Sequence, residues 1–277
     1  MPELPEVETI VRDLRDRLVG RVIREVVVIL PKVVASPAPE KFASLLAGRE
    51  ITGLARRGKY ILVSLSGDRV LVIHLRMTGQ LVYYTRPEPF PKHTHLLFYL
   101  DQGVLRFTDL RQFGRVRLAH KRELDDVPGL RDLGMEPLDA GFTEQEFVRR
   151  LKRSQRMVKP LLLDQAFLAG LGNIYTDEAL HRSGVHPERR AAGLSTREAR
   201  NLCRAIREVL SEGVALRGTS VQHYVDGSGQ RGRFQEILRV YGKRGEPCPV
   251  CGVPVERIRC GGRSTHFCPS CQKRSEK

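Results

Sequence analysis

The sequence predicts an α+β chain of two domains: a β-sandwich led by one helix, then a helical domain that ends in a zinc finger. Three observations carry this. About eight short β-type runs crowd residues 21–120. The apolar period turns helical after "PGLRDLGMEPLD". Four cysteines close the chain as two C-x2-C pairs. At ~150 residues per domain, a chain of 277 residues holds two domains and a small appendage.

Residues 5–18 form the first element. Val7, Ile10, Val11, Leu14 and Leu18 follow the i, i+3, i+4, i+7 rule of an amphipathic helix, and Gly20 is placed to end it. The β-type runs follow: "RVIREVVVIL", "EITGLARR", "KYILVSLS", "RVLVIHL", "QLVYYT", "HLLFYLD", "GVLRFTD" and "RVRLAH". Turn residues such as Ser66-Gly67-Asp68 and Asp101-Gln102-Gly103 separate several of them. So many short strands in a row predict a sandwich or barrel. Past residue 135, "TEQEFVRRLKR", "VKPLLLDQ", "IYTDEALHRSG" and "STREARNLCRAIREVLSEGVALRG" are helical. Ser195 and Glu198 make an S-x-x-E capping box for the last of these. A glycine-rich stretch, "VDGSGQRGRF", comes next. The expected domains are 1–135, 136–235 and 236–277.

The net charge is +15, which suits a polyanionic partner, nucleic acid before an anionic membrane. No run approaches the ~18 apolar residues of a membrane span. The start lacks a basic segment followed by an apolar one, so no signal peptide is read and a cytoplasmic protein is expected.

Cys248, Cys251, Cys268 and Cys271 form C-x2-C-x16-C-x2-C. Each pair lets two thiolates grip one ion from a tight turn, and two such pairs complete a tetrahedral site for one structural Zn2+. With four protein ligands no position stays open for chemistry, and His266 is read as a bystander. "HTH" at 93–95 lacks a third ligand, so no metal is assigned there. Gly170, Gly172 and Asn173 make a turn into a helix N-terminus. There, free backbone N–H groups suit a phosphate, although an ordinary helix–helix corner looks the same.

Taken in order, "PELPEVE", "RRGKY", "HLRMTG", "KHTH", "TDLRQFG", "GLGNIYTDEAL", "FQEILRVYGKRGEPCPVCG" and "GRSTHFCPSCQ" resemble the bacterial formamidopyrimidine-DNA glycosylase family over nearly the whole chain. The resemblance implies an N-terminal β-sandwich, a helix–two-turns–helix domain and a C-terminal zinc finger. It implies excision of oxidised purines such as 8-oxoguanine from damaged double-stranded DNA, followed by strand cleavage. It also gives the acidic, proline-rich start a purpose. Once Met1 is removed, the imino nitrogen of Pro2 is the nucleophile, and Glu3 is the neighbouring acid. Lys59 is implied to contact the lesion and assist elimination, and Arg263 to bind flanking phosphates and act in δ-elimination. Met77, Arg111 and Phe113 match the trio that fills the gap left by a flipped base. His74, His93, Lys159 and Asn173 match phosphate contacts, and "VDGSGQRGRF" matches a lesion-capping loop. Gln112 departs from the family, which often carries a basic residue there.

Two alternatives share part of this pattern. Endonuclease VIII-like glycosylases prefer oxidised pyrimidines, but the "PELPEVE" start and the long glycine-rich loop speak against them. A non-catalytic zinc-containing DNA-binding protein would share the charge and the finger, but has no use for a processed Pro2. A monomer is expected, because an asymmetric lesion needs no twofold protein.

Overall fold

The computed structural model describes all residues except 87–88, 222–223 and 275–277. The chain forms two compact units. The first comprises residues 1–132 and 216–235, the second 133–215 and 236–277.

In the first unit, α1 (Leu4–Leu18) buries Val7, Ile10, Val11, Leu14 and Leu18, the stripe read from the sequence. Pro5 sits in its first turn, where a missing N–H costs nothing. The strands are β1 (Ile23–Val28), β2 (Val34–Ser36), β3 (Ile51–Arg57), β4 (Tyr60–Leu65), β5 (Arg69–His74), β6 (Gly79–Tyr84), β7 (Thr94–Leu100), β8 (Val104–Asp109) and β9 (Arg115–His120). They build a four-stranded sheet in the order β1-β7-β8-β6 and a five-stranded sheet in the order β2-β9-β5-β4-β3. Inward residues such as Leu81, Phe98, Leu105 and Phe107 from one sheet join Ile61, Val63, Ile73 and Val116 from the other in one core with α1. A short helix, α2 (Pro39–Leu46), contributes Phe42 and Leu46.

Two chain crossings between the sheets matter most for the site. Residues 75–78 lead from β5 to β6, and residues 110–114 lead from β8 to β9. Their flanking strands are paired at both ends, Gly79 with Asp109 and His74 with Arg115. The two crossings therefore run side by side.

Residues 216–235 pack in this compact unit. Polar contacts anchor them there. Arg217 donates to Asp13 of α1 at 2.6 Å and to the fully buried Asp226 at 2.5 Å. Asp226 also accepts from the backbone N–H groups of Ser228 and Gln230. Thr219 N donates to Glu6 of α1 at 2.7 Å.

The second unit holds α3 (Glu144–Lys152), α4 (Val158–Leu162), α5 (Asn173–Ser183) and α6 (Thr196–Ala215), then a hairpin of β10 (Glu256–Cys260) and β11 (Arg263–Phe267). The Ser195–Glu198 capping box is present in both directions, at 2.7 and 3.2 Å. Gly184 ends α5 at φ +70°, a conformation that suits glycine. Among the described residues, no helix is long and apolar enough to cross a membrane.

Candidate functional site

In the first unit Pro2 and Glu3 are buried behind an exposed Met1. Pro2 and Glu3 lead straight into α1, with Glu3 only 3% exposed. Glu3 N donates to Glu6 Oε2 at 2.7 Å. Glu6 thus serves both the N-terminal segment and, through Thr219, the glycine-rich loop. Lys59 is also buried, in the turn between β3 and β4 after Gly58 at φ +55°. Arg56 fixes that turn, donating to Gly58 O at 3.1 Å and to Glu8 of α1 at 3.0 Å. Burial opposes ionisation of Glu8, but hydrogen bonds from Arg12 and Arg56 outweigh it and hold its carboxyl below the usual range. The chain carries Met1, so the Pro2 nitrogen is an amide here. Burial pulls the Met1 ammonium below its ordinary value; Glu3 and Glu6 oppose that, while Lys59 and Arg111 add to it. Two acids and two bases therefore act electrostatically on the chain start.

The two crossings present Met77, Arg111 and Phe113. Met77 is 40% and Phe113 49% exposed, so both side chains are open to a partner. The Arg111 guanidinium lies 4.9 Å from the centre of the Phe113 ring, within cation–π range. His74 ends β5 with its ring edge-on to Tyr60. Its Nδ1 accepts from Arg76 N at 2.9 Å, so the ring proton sits on Nε2. Burial, helped by Arg76 and Lys59, pushes its pKa down to about 3, so His74 offers a neutral N–H donor at pH 7. His93 is half-buried at φ +76°. His95 pairs its Nε2 with Asp109 O at 2.8 Å. Among the described residues, neither histidine belongs to a metal-capable cluster.

In the second unit, Asn173 opens α5 and donates through Nδ2 to Ser264 O at 2.9 Å, while its Oδ1 is buried with no hydrogen-bond partner. Arg263 is exposed at the hairpin tip, where Gly261 and Gly262 take φ +55° and +77°. Lys159 differs from its expected role. It is fully buried, with Nζ 2.6 Å from Asp177 Oδ1 and 3.0 Å from Ser264 O. Asp177 Oδ2 also accepts from His266 N at 2.9 Å. A buried ammonium held this way has no surface to offer a phosphate. It braces β11 against α4 and α5.

The sulfurs of Cys248, Cys251, Cys268 and Cys271 lie within 4.8 Å of one another, with Cys251–Cys268 at 3.4 Å and Cys248–Cys271 at 3.9 Å. A tetrahedral zinc with Zn–S of about 2.3 Å places its sulfurs about 3.8 Å apart, so the four fit one zinc ion. His266 is not in the group and faces Asp177. His181 Nε2 approaches Cys248 Sγ at 3.3 Å, as an outer-sphere partner of a thiolate would.

Sequence reasoning missed Asp109, Thr78 and Asp177. Asp109 stands inside "TDLRQFG", where the eye goes to the arginine and phenylalanine. A carboxylate just before a sharp turn was the available signal.

Three family models match in chain order. One described as "Formamidopyrimidine-DNA glycosylase N-terminal domain" covers residues 1–116, "Formamidopyrimidine-DNA glycosylase H2TH domain" covers 133–225, and "Zinc finger found in FPG and IleRS" covers 245–274. A formamidopyrimidine-DNA glycosylase of Pelotomaculum thermopropionicum is 50% identical over 274 residues, 99% of each chain. Lactococcus lactis Fpg, solved with DNA containing an abasic site, matches at a TM-score of 0.93 and 38% identity, over 98% of this chain and 100% of that one. The same enzyme, solved with DNA containing N7-benzyl-Fapy-dG, matches at 0.92 and 38%, over 99% and 100%. Identity at this level along the full length, with all three modules in register, leaves one assignment: the chain belongs to the formamidopyrimidine-DNA glycosylase family.

Proposed function

We propose that this DNA glycosylase, which acts on damaged DNA, removes oxidised purines through a Schiff base on Pro2 and then cuts the strand by β,δ-elimination. The observation that carries this reading is the buried Pro2–Glu3 start, held by Glu6 through Glu3 N, in the same unit as the buried Lys59. The reading requires removal of Met1. A freed terminal amine titrates near ~8, far below lysine, so a useful neutral fraction exists at pH 7. Its lone pair attacks sugar C1′, the C1′–N9 bond breaks, and the base leaves with a proton. Glu3 protonates the ring oxygen as the sugar opens to an iminium. Such proton transfer is typically worth ~10²–10⁴-fold. The cationic imine acidifies the C2′ hydrogen, whose loss expels the 3′ oxygen; a second elimination expels the 5′ oxygen.

The buried nucleotide must first leave the stack, at a few kcal/mol. Exposed Met77 and Phe113 suit the wedge that offsets this cost, and Arg111 suits the orphaned cytosine. Arg263, the His74 Nε2–H, His93 and the Asn173 turn suit phosphates around the lesion. Lys159 acts indirectly, by holding the Arg263 hairpin. The enzyme is taken to work as a monomer.

The rival within the same chemistry is a preference for oxidised pyrimidines. Duplexes carrying 8-oxoguanine opposite cytosine and thymine glycol opposite adenine separate the two. Faster release of 8-oxoguanine, leaving 3′-phosphate ends, is expected. Faster release of thymine glycol overturns the substrate assignment.

A further inference from the structure

We infer that Asp109, acting with Thr78, is a positioning residue that locks the two wedge-bearing crossings into one rigid unit and so sets how Arg111 meets the base opposite the lesion. This rests on reading Met77, Arg111 and Phe113 as the wedge. It goes beyond that reading because neither Asp109 nor Thr78 would touch DNA.

The topology creates the need. Met77 and Arg111 stand on separate connections between the two sheets, and a wedge works only if both enter the duplex in fixed relation. Main-chain pairing holds the connections at their ends, at Gly79–Asp109 and His74–Arg115, and nothing in the strands fixes what lies between.

Asp109 supplies that constraint. It is 1% exposed, so its charge must be matched inside the protein. Oδ2 accepts from Gly114 N at 2.7 Å, closing the far end of the crossing that carries Arg111 and Phe113. Oδ1 accepts from the Thr78 hydroxyl at 2.5 Å and from Arg111 N at 3.2 Å. The Thr78 hydroxyl in turn accepts from Arg111 N at 3.0 Å. The residue after Met77 is thus bonded directly to the backbone of Arg111. The Asp109 main chain is held as well: its N–H donates to His93 O at 3.0 Å, and its carbonyl faces His95 Nε2 at 2.8 Å. Between these anchors Gln112 takes φ +60° and Arg76 φ +55°, left-handed conformations that non-glycine residues keep only when the surroundings hold them. Gly114 itself sits tight against the core, since a Cβ there would lie 2.5 Å from Phe107 Cζ.

The test compares Thr78→Val, which keeps the shape and loses both hydrogen bonds, with Thr78→Ser, which keeps the hydroxyl. Asp109→Asn is a poor probe, because it also sets an amide against buried donors and lowers stability. The measurement is the ratio of 8-oxoguanine excision opposite cytosine to that opposite adenine, with thermal midpoints and borohydride trapping on an abasic single strand as controls. Wild type is expected to favour cytosine. Thr78→Val should lower the ratio by roughly 10-fold, the factor for loss of one or two buried hydrogen bonds, and Thr78→Ser should restore it. An unchanged ratio in Thr78→Val, or equal losses opposite both bases, overturns the inference while leaving the wedge reading intact. A wild-type enzyme indifferent to the opposite base overturns the Arg111 reading and this inference with it.

Discussion

Asp177→Asn should destabilise the second unit by about 3–5 kcal/mol, the usual cost of breaking a buried ion pair from one side. The side chains of Lys159 and Asp177 are both 0% exposed and 2.6 Å apart, so water cannot replace the lost charge. The amide preserves the shape, so no cavity contributes. It also cannot match both donors that converge on Asp177, the Lys159 ammonium and His266 N. The magnitude can be separated from general damage with the double variant Lys159→Met/Asp177→Leu. That pair removes the buried charge altogether. It orphans His266 N, at about 1–3 kcal/mol. It spares Ser264 O, which still accepts from Asn173. The double variant should therefore be more stable than the single one. Scanning calorimetry on zinc-loaded protein reads this directly, and Asp177→Asn should lower the Tm of the second unit by roughly 10–25 °C. A single variant within about 1 kcal/mol of wild type, or a double variant less stable than the single, would refute the buried-pair reasoning.

Three further outcomes follow from the same geometry. Because His74 is neutral, His74→Gln should weaken DNA binding without changing its salt dependence, whereas Arg263→Ala should flatten the log–log slope by about 0.9; titrations at several salt concentrations check both. The His74 pKa falls from 6.5 unfolded to about 3 folded, so the folded state binds fewer protons between those values. Its contribution is complete above pH 6.5 and fades as pH falls toward 3, costing at most about 2 kcal/mol at pH 5, a loss that denaturation of His74→Gln should not show. Among the described residues the finger's small core cluster is Val240, Cys248, Val255 and Cys268 with the flanking Cys271, so Cys251→Ser should lose the zinc ion by metal analysis and most DNA affinity by gel shift.

Much of this was legible in the sequence, for identifiable reasons. The α1 stripe, the α6 capping box and the paired cysteines each encode local geometry, and each stands where the pattern put it. The strand β2 escaped notice because three residues are too few to display a period, and the helix α2 because only Phe42 and Leu46 mark its buried face. The resemblance implies a phosphate contact for Lys159, and the sequence does not show its burial. Its partner Asp177 lies 18 positions away and meets it only through packing. The glycine-rich stretch matches a lesion-capping loop by resemblance, but its anchors do not show in the sequence. Asp226 and Arg217 pin its start by contacts that reach back to Asp13, a separation no local pattern reveals. Likewise Asp109 gains its meaning only when β8 is seen beside β6.

The most direct measurement for the account as a whole is borohydride trapping on a duplex with 8-oxoguanine opposite cytosine, followed by peptide mapping of the adduct. The expected product is DNA joined to the N-terminal peptide through the nitrogen of Pro2, formed only when Met1 has been removed. An adduct on the Lys59 peptide, or equal trapping by protein that retains Met1, contradicts the mechanism.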